Sequence, residues 1–191
     1  MGSAPPEGTT GLTYADLRAL PADGAKRFEL INGELLVTPA PTTRHQESVA
    51  RLTAALLTHA RPDGWRVLPG PVDVWFAEVT VLEPDLVAVG PDSLARVEPA
   101  RVVGPPDLVV EVSSPSTRRA DLVRKRRVYE EQRVPEFWFV DLDADQVHVY
   151  RLEPSGSYGP PEVVLDHGEV TCASVPGFTI PAAEVLAVDV E

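Results

Sequence analysis

Three side chains in the middle of the chain have the types and spacing for phosphoryl-transfer chemistry: Asp85, Glu111 and Lys125. Glu111 lies inside an apolar, strand-like run from Leu108 to Val112. A carboxylate in a core strand is costly unless it is paired or binds a metal. Asp85 follows Pro84 and opens a second short apolar run, Leu86 to Val89. If those two runs pair, both carboxylates reach one edge of a sheet. Two close carboxylates repel, and a divalent cation between them removes that cost. Hard oxygen donors favour Mg²⁺ or Mn²⁺ over zinc. The single cysteine, Cys172, and the four scattered histidines show no zinc-ligand spacing. Lys125 sits on the helix predicted after the Glu111 strand. From there a lysine can orient an attacking water or steady the negative charge of a phosphoryl transition state.

Each residue also has a structural reading. Asp85 after a proline suits a turn, Glu111 suits an ion-paired core position, and Lys125 belongs to the run Arg124 to Arg127, which suits a solvated basic face. Asp107 is a rival ligand. It shares strand phase with Glu111 but lies about 13 Å away along an extended strand, which favours Asp85.

The elements that must position these groups follow from local pattern. Residues 1–11 read as a disordered tail. Thr13 caps a short helix, Tyr14 to Leu20. Phe28 to Val37 carries Asn32 and Gly33 between two apolar runs, the signature of a two-residue hairpin turn. Thr42 or Thr43 caps a helix reaching about His59, whose Val49, Leu52, Leu56 and Leu57 form one apolar face. Strands are predicted over Trp65 to Leu68, Val72 to Phe76 and Val79 to Val89, broken by Pro69, Gly70, Pro71 and Pro84, and residues 90–106 read as a loop with room for a short helical turn. After Leu108 to Val112 come a polar turn, Ser113 to Thr117, a helix from about Arg119 to Gln132, and strands Phe137 to Val140 and Val147 to Leu152. A further strand pair near Val163 to Leu165 and Val170 to Ala173 precedes a short terminal helix after Pro181. This is an α+β pattern in one domain over 12–191: a central mixed sheet flanked by helices, with additional hairpins.

The chain has 191 residues, 43% of them hydrophobic, enough for one domain with a core. Its net charge of −12 argues against a long basic binding face. One cysteine permits no intrachain disulfide, which fits a reducing cytoplasm. No apolar run approaches the roughly 18 residues of a membrane span, and the first eleven residues carry no secretory signal. Basic residues gather locally at Arg118, Arg119, Arg124, Lys125, Arg126, Arg127 and Arg133. That patch adjoins Glu111 and suits phosphate contact. Phe137 and Trp138 sit in an apolar strand and read as core rather than as a base-stacking platform.

Pro84-Asp85 followed by Glu111-Val112-Ser113 resembles the PD-(D/E)XK nuclease superfamily. More closely, the chain resembles the bacterial Uma family of restriction-endonuclease-like proteins. The carrying residues are Phe28 to Glu34, His45, Pro84-Asp85, Pro106 to Thr117, Asp121, Lys125, Tyr129 and Val134 to Asp141, spread over about residues 12 to 186. The resemblance implies a restriction-endonuclease-like core and a Mg²⁺- or Mn²⁺-dependent endonuclease acting on nucleic acid, DNA in the first instance, as a homodimer. It implies Asp85, Glu111 and the Val112 carbonyl as metal ligands and Lys125 as the assisting lysine. Ser113 stands where the wider superfamily has lysine, so the lysine is expected to come from the following helix. Glu29, Glu34, His45 and Ser113 are expected accessory residues, and Arg118, Arg119 and Arg124 nucleic-acid contacts. The competing expectation is a catalytically inactive domain of the same fold serving as a regulatory or interaction module.

Overall fold

The computed structural model describes residues 5–21, 26–113 and 119–187, with residues 119–121 as backbone alone. Its helices are α1 (Tyr14–Arg18), α2 (Thr43–Ala60), α3 (Arg119–Glu131) and α4 (Ala182–Val185). Its strands are β1 (Lys26–Ile31), β2 (Glu34–Pro39), β3 (Arg66–Pro69), β4 (Val74–Ala77), β5 (Thr80–Leu82), β6 (Leu86–Val89), β7 (Val102–Val103), β8 (Leu108–Val112), β9 (Glu136–Asp141), β10 (Gln146–Arg151), β11 (Glu162–Leu165), β12 (Glu169–Thr171) and β13 (Thr179–Pro181).

A six-stranded mixed sheet carries the centre of the molecule, in the order β11-β10-β9-β8-β6-β3. Within this sheet only β8 and β9 pair in parallel, with α3 as the crossover between them. All five residues of β8 are buried, because both faces of the sheet are covered. On one face, Leu108, Val110, Val112 and Trp138 pack against α2 through Val49, Leu52 and Leu56, and against α4 through Val185. On the other, Val87, Val109 and Phe137 pack against Val128 and Tyr129 of α3 and against Ile31, Val74 and Leu82. Those last three belong to a second, five-stranded sheet in the order β2-β1-β5-β4-β7. Glu111 alternates with Val110 and Val112 along β8, so it points away from α2 and into the space between α3 and the second sheet.

Local chemistry explains the elements that hold this arrangement. Asn32 and Gly33 take φ of 52° and 79°, the left-handed pair that a tight β1–β2 hairpin requires. Thr42 caps α2 by accepting a hydrogen bond from the His45 N–H, which sets His45 in the first helical turn. Thr13 and Asp16 form a capping box on α1.

Several expectations from local pattern are revised. The break expected at Pro84 within Val79 to Val89 is also a change of sheet: β5 and β6 belong to different sheets, separated by Glu83, Pro84 and Asp85. The proline lacks a ladder donor, and the chain changes sheet there. The terminal strands do not pair with each other: β11 joins β10, and β12 joins β13. Within the expected tail, Gly8 donates to Leu35 O at 2.8 Å and Leu35 donates back to Thr9 O at 2.8 Å. That stretch therefore lies hydrogen-bonded along β2, while residues 1–4 lie outside the described residues. Phe137 and Trp138 are both core, at 1% and 0% exposure. Among the described residues no helix is long and apolar enough to cross a membrane.

Candidate active site

Four separate parts of the chain converge on the buried end of β8: the link between β5 and β6, α3, β1 and α2. The β6–β8 register, Leu86 opposite Val110, brings the preceding Asp85 beside the end of β8. There its Oδ2 accepts the Val112 N–H at 2.8 Å. From α3, Lys125 and Tyr129 stand four residues apart and so share a helix face. Lys125 Nζ lies 3.1 Å from both Oε1 and Oε2 of Glu111, and the Tyr129 hydroxyl donates to Glu111 Oε1 at 2.6 Å. The hairpin strand β1 supplies Arg27 and Glu29, two residues apart on one strand face. Glu29 Oε1 lies 2.7 Å from Lys125 Nζ and accepts the Glu83 N–H at 2.8 Å. Arg27 Nη1 lies 2.6 Å from Asp85 Oδ1. His45, from the first turn of α2, places Nε2 3.1 Å from Asp85 Oδ2.

All of these groups are shielded from water. Glu29, His45, Asp85, Glu111 and Lys125 are each at most 6% exposed, and Arg27 is half-buried. Burying a charge is tolerable only with close partners, and here each charge has one. Burial works against ionisation of Asp85, but the His45 hydrogen bond, the Arg27 charge and the Val112 N–H outweigh it and hold its carboxyl down at about 2. Burial acts on Glu111 in the same direction and is not overcome. Lys125 and Tyr129 favour its charged form, yet the charges of Asp85 and Glu29 add to burial and push it up to about 7. Burial opposes the charge on Lys125, and Glu111 and Glu29 together outweigh it and raise its pKa. The Tyr129 phenol is pushed well above its ordinary range by burial and by the Glu111 charge, so it remains a hydrogen-bond donor.

The expected residues therefore divide. Asp85, Glu111, Lys125, Glu29 and His45 come together, and Val112 joins them through its N–H. Ser113 is buried nearby, but its hydroxyl accepts the Leu142 N–H at 2.8 Å and ties β8 to the end of β9. Glu34 and Arg124 pair with each other instead, in a two-pronged ion pair with contacts of 2.8 and 3.2 Å at the half-exposed rim. Asp107 accepts the Gly90 N–H at 2.7 Å and the Ser93 hydroxyl at 3.2 Å, contacts that it does not share with Glu111. Arg118 lies outside the described residues, as does the side chain of Arg119.

Two members of the cluster were not read as site residues. Arg27 was detectable in principle, since strand period two puts it on the Glu29 face. Tyr129 was detectable as the residue one helical turn after Lys125. Glu83, beside Glu29, has its carboxyl raised to about 7 by burial and by the Glu29 and Asp73 charges. No local pattern distinguishes it from a turn residue.

The donor set bears on a metal ion. Three buried carboxylates, Glu29, Asp85 and Glu111, influence one another closely enough that Asp85 and Glu29 raise the pKa of Glu111. Such a set of hard oxygen donors fits a divalent cation, which would relieve their mutual repulsion. With Arg27, His45, Lys125 and Tyr129 engaged on those oxygens, no group of three or more His, Cys, Asp or Glu side chains among the described residues is arranged as a ready-made metal site.

A mixed sheet flanked by helices, with Asp85 and Glu111 at adjoining strand ends, is a restriction-endonuclease-like arrangement, here with Lys125 on the crossover helix. The fold agrees with a crystal structure described as a putative nuclease belonging to DUF820 from Anabaena variabilis. The two superpose with a TM-score of 0.77 and 17% sequence identity over 92% of this chain and 98% of that one. The model of the family Uma2, described as "Putative restriction endonuclease", matches residues 14–185. The chain belongs to that family. No curated protein matches it.

Proposed function

We propose that this protein is a metal-dependent endonuclease in which Asp85, Glu111 and the Val112 carbonyl hold Mg²⁺ or Mn²⁺ and Lys125 assists the attacking water. The observation that carries the reading is the position of Lys125 Nζ, 2.7 Å from Glu29 and 3.1 Å from both oxygens of Glu111. Lysine supplied from the crossover helix stands in for the lysine that Ser113 lacks. Hydrolysis adds water across a phosphodiester P–O bond, the hydroxyl going to phosphorus and the proton to the leaving oxygen. A bound divalent cation supplies Lewis-acid polarisation of the phosphoryl oxygen and lowers the pKa of an attached water. Lys125, held protonated by Glu29 and Glu111, would orient the attacking water and offer its charge to the developing oxyanion. Tyr129 holds Glu111 in register. Glu29 anchors Lys125 and joins the second sheet to the site.

The alternative is an inactive nuclease-fold domain that serves as an interaction module. The engagement of every oxygen-bearing site residue by a neighbouring cation or hydrogen-bond donor favours it.

Titration calorimetry with Mg²⁺ and Mn²⁺ on the wild type and on Glu111→Ala separates the two. Metal binding that depends on Glu111, with cleavage of labelled DNA lost in Lys125→Ala, supports the enzyme. Absence of metal binding even with DNA present rejects it and leaves the interaction module.

A further inference from the structure

Beside Asp85 the protein opens into a cleft of about 560 Å³ that Lys125 does not line. That volume lies within the roughly 300–1,000 Å³ span of small-ligand pockets. Arg27, His45 and Asp85 line it, so a group seated there touches the candidate active site directly. Its apolar walls include Leu17 on α1, Phe28 on β1 and Val49 on α2, with Pro21, Pro41 and Pro71 from the connecting segments. Phe28 is half-buried; it packs against the cluster of Leu17, Leu30, Leu35 and Val81 and lines the cleft. The rim carries Arg18, Lys26 and the exposed amide of Gln46. Three acids also face the cleft. Asp73 is engaged by the Tyr14 hydroxyl at 2.9 Å and lies 3.8 Å from Arg18, Asp85 is engaged by Arg27 and His45, and Glu83 completes the set.

The geometry points to this cleft as the seat of one unstacked nucleotide next to the scissile phosphate, so that the substrate is a single strand or an extruded base rather than intact duplex. The inference rests on the nuclease reading above. Apolar walls with an aromatic ring suit the face of a base, an amide at the rim suits its polar edge, and cations at the mouth suit its phosphate. A duplex cannot enter a cleft this small without giving up a base from its stack. The charge of the molecule points the same way. Duplex affinity comes chiefly from neutralising many phosphates, and a chain with net charge −12 is poorly built for that. A single-strand site gains more of its affinity from base stacking and needs fewer phosphate contacts.

Fluorescence anisotropy with labelled oligothymidylate, labelled oligouridylate and a labelled blunt DNA duplex tests the inference, each in EDTA and again with Ca²⁺. The expected result is single-strand binding at least about tenfold tighter than duplex binding. Gln46→Glu and Phe28→Ala should each weaken single-strand binding about fivefold or more while leaving duplex binding unmoved. Gln46 is exposed, so Gln46→Glu keeps the test valid if Phe28→Ala fails to fold. Comparison of the two single strands shows whether a 2′-hydroxyl is accepted, and preference for either one supports the assignment. Duplex binding as tight as single-strand binding overturns it. So does single-strand binding indifferent to both variants, or no binding of any probe. Failure of the nuclease reading is registered separately, by intact labelled DNA and RNA after incubation with Mg²⁺ or Mn²⁺.

Discussion

Lys125 Nζ stands 3.1 Å from each carboxylate oxygen of Glu111, a symmetric buried ion pair between the crossover helix and the central strand it follows. Glu29 takes a third side of the same ammonium at 2.7 Å. One cation thus ties together α3, the six-stranded sheet and the five-stranded sheet.

Removing that cation leaves two buried carboxylates facing each other. Lys125→Met is expected to cost about 3–5 kcal/mol at neutral pH, the usual cost of breaking a buried ion pair from one side. Urea unfolding measures it. Adding Glu29→Gln and Glu111→Gln to the same chain should recover part of the loss, because the stranded charges are then gone.

Tyr129→Phe isolates the hydroxyl. The ring keeps its place 5.2 Å from the Phe137 ring, so packing changes little. Loss of the 2.6 Å hydrogen bond to Glu111 should cost roughly 1–3 kcal/mol. Comparison with Phe137→Leu, which alters packing without touching Glu111, separates the two effects in urea melts.

Glu34 is a test of where the site ends. Its partner is Arg124, and both side chains are more than a third exposed. Glu34→Ala should therefore change stability by less than about 1 kcal/mol. Calorimetric Mg²⁺ binding should be unaltered, whereas Glu29→Ala should change it.

Gly70 guards the position of Asp85 from outside. Its N–H donates to Asp85 O at 2.8 Å, and a Cβ built there would stand 2.8 Å from the Pro84 carbonyl oxygen. That neighbour is backbone and can yield only by moving Asp85. Gly70→Ala should destabilise by about 1–3 kcal/mol, as overpacking does. Metal affinity should fall with it, measured on the fraction that remains folded.

Cys172 is predicted to be inert in the native state. It is 5% exposed, and its thiol lies 3.4 Å from the buried carboxylate of Glu136. Burial first, then the Glu136 charge, pushes the thiol above its ordinary value of 9.0. The folded state therefore keeps a proton that the unfolded state loses. Stability linked to Cys172 is full below about pH 9 and declines as pH rises beyond it. Cys172→Ala should flatten the alkaline decline in unfolding free energy, and a thiol reagent should label the wild type only in denaturant.

Much of the local structure was legible in the chain because it depends on neighbours. Asn32 and Gly33 require a left-handed turn, Val49, Leu52 and Leu56 require an apolar helix face, and Glu111 inside Leu108 to Val112 marks a carboxylate that must find a partner. Glu136 shows why that last signal was not sufficient. It is also a buried strand carboxylate, yet its oxygens are taken by the Trp138 indole, the Ser174 N–H and Cys172, none of which belongs to the site.

The sequence by itself determined which carboxylates lie in strands, which lysine follows them on a helix, and to which family the pattern belongs. Tertiary structure alone decided that Arg27 and Glu29 reach Asp85 and Lys125, that Glu34 turns away to Arg124, and that a cleft opens beside Asp85. The reason is physical. Hydrogen bonds within a helix or hairpin are set by residues a few positions apart. The order of strands in two sheets is set by which buried faces and charges across some sixty to a hundred residues satisfy one another at once.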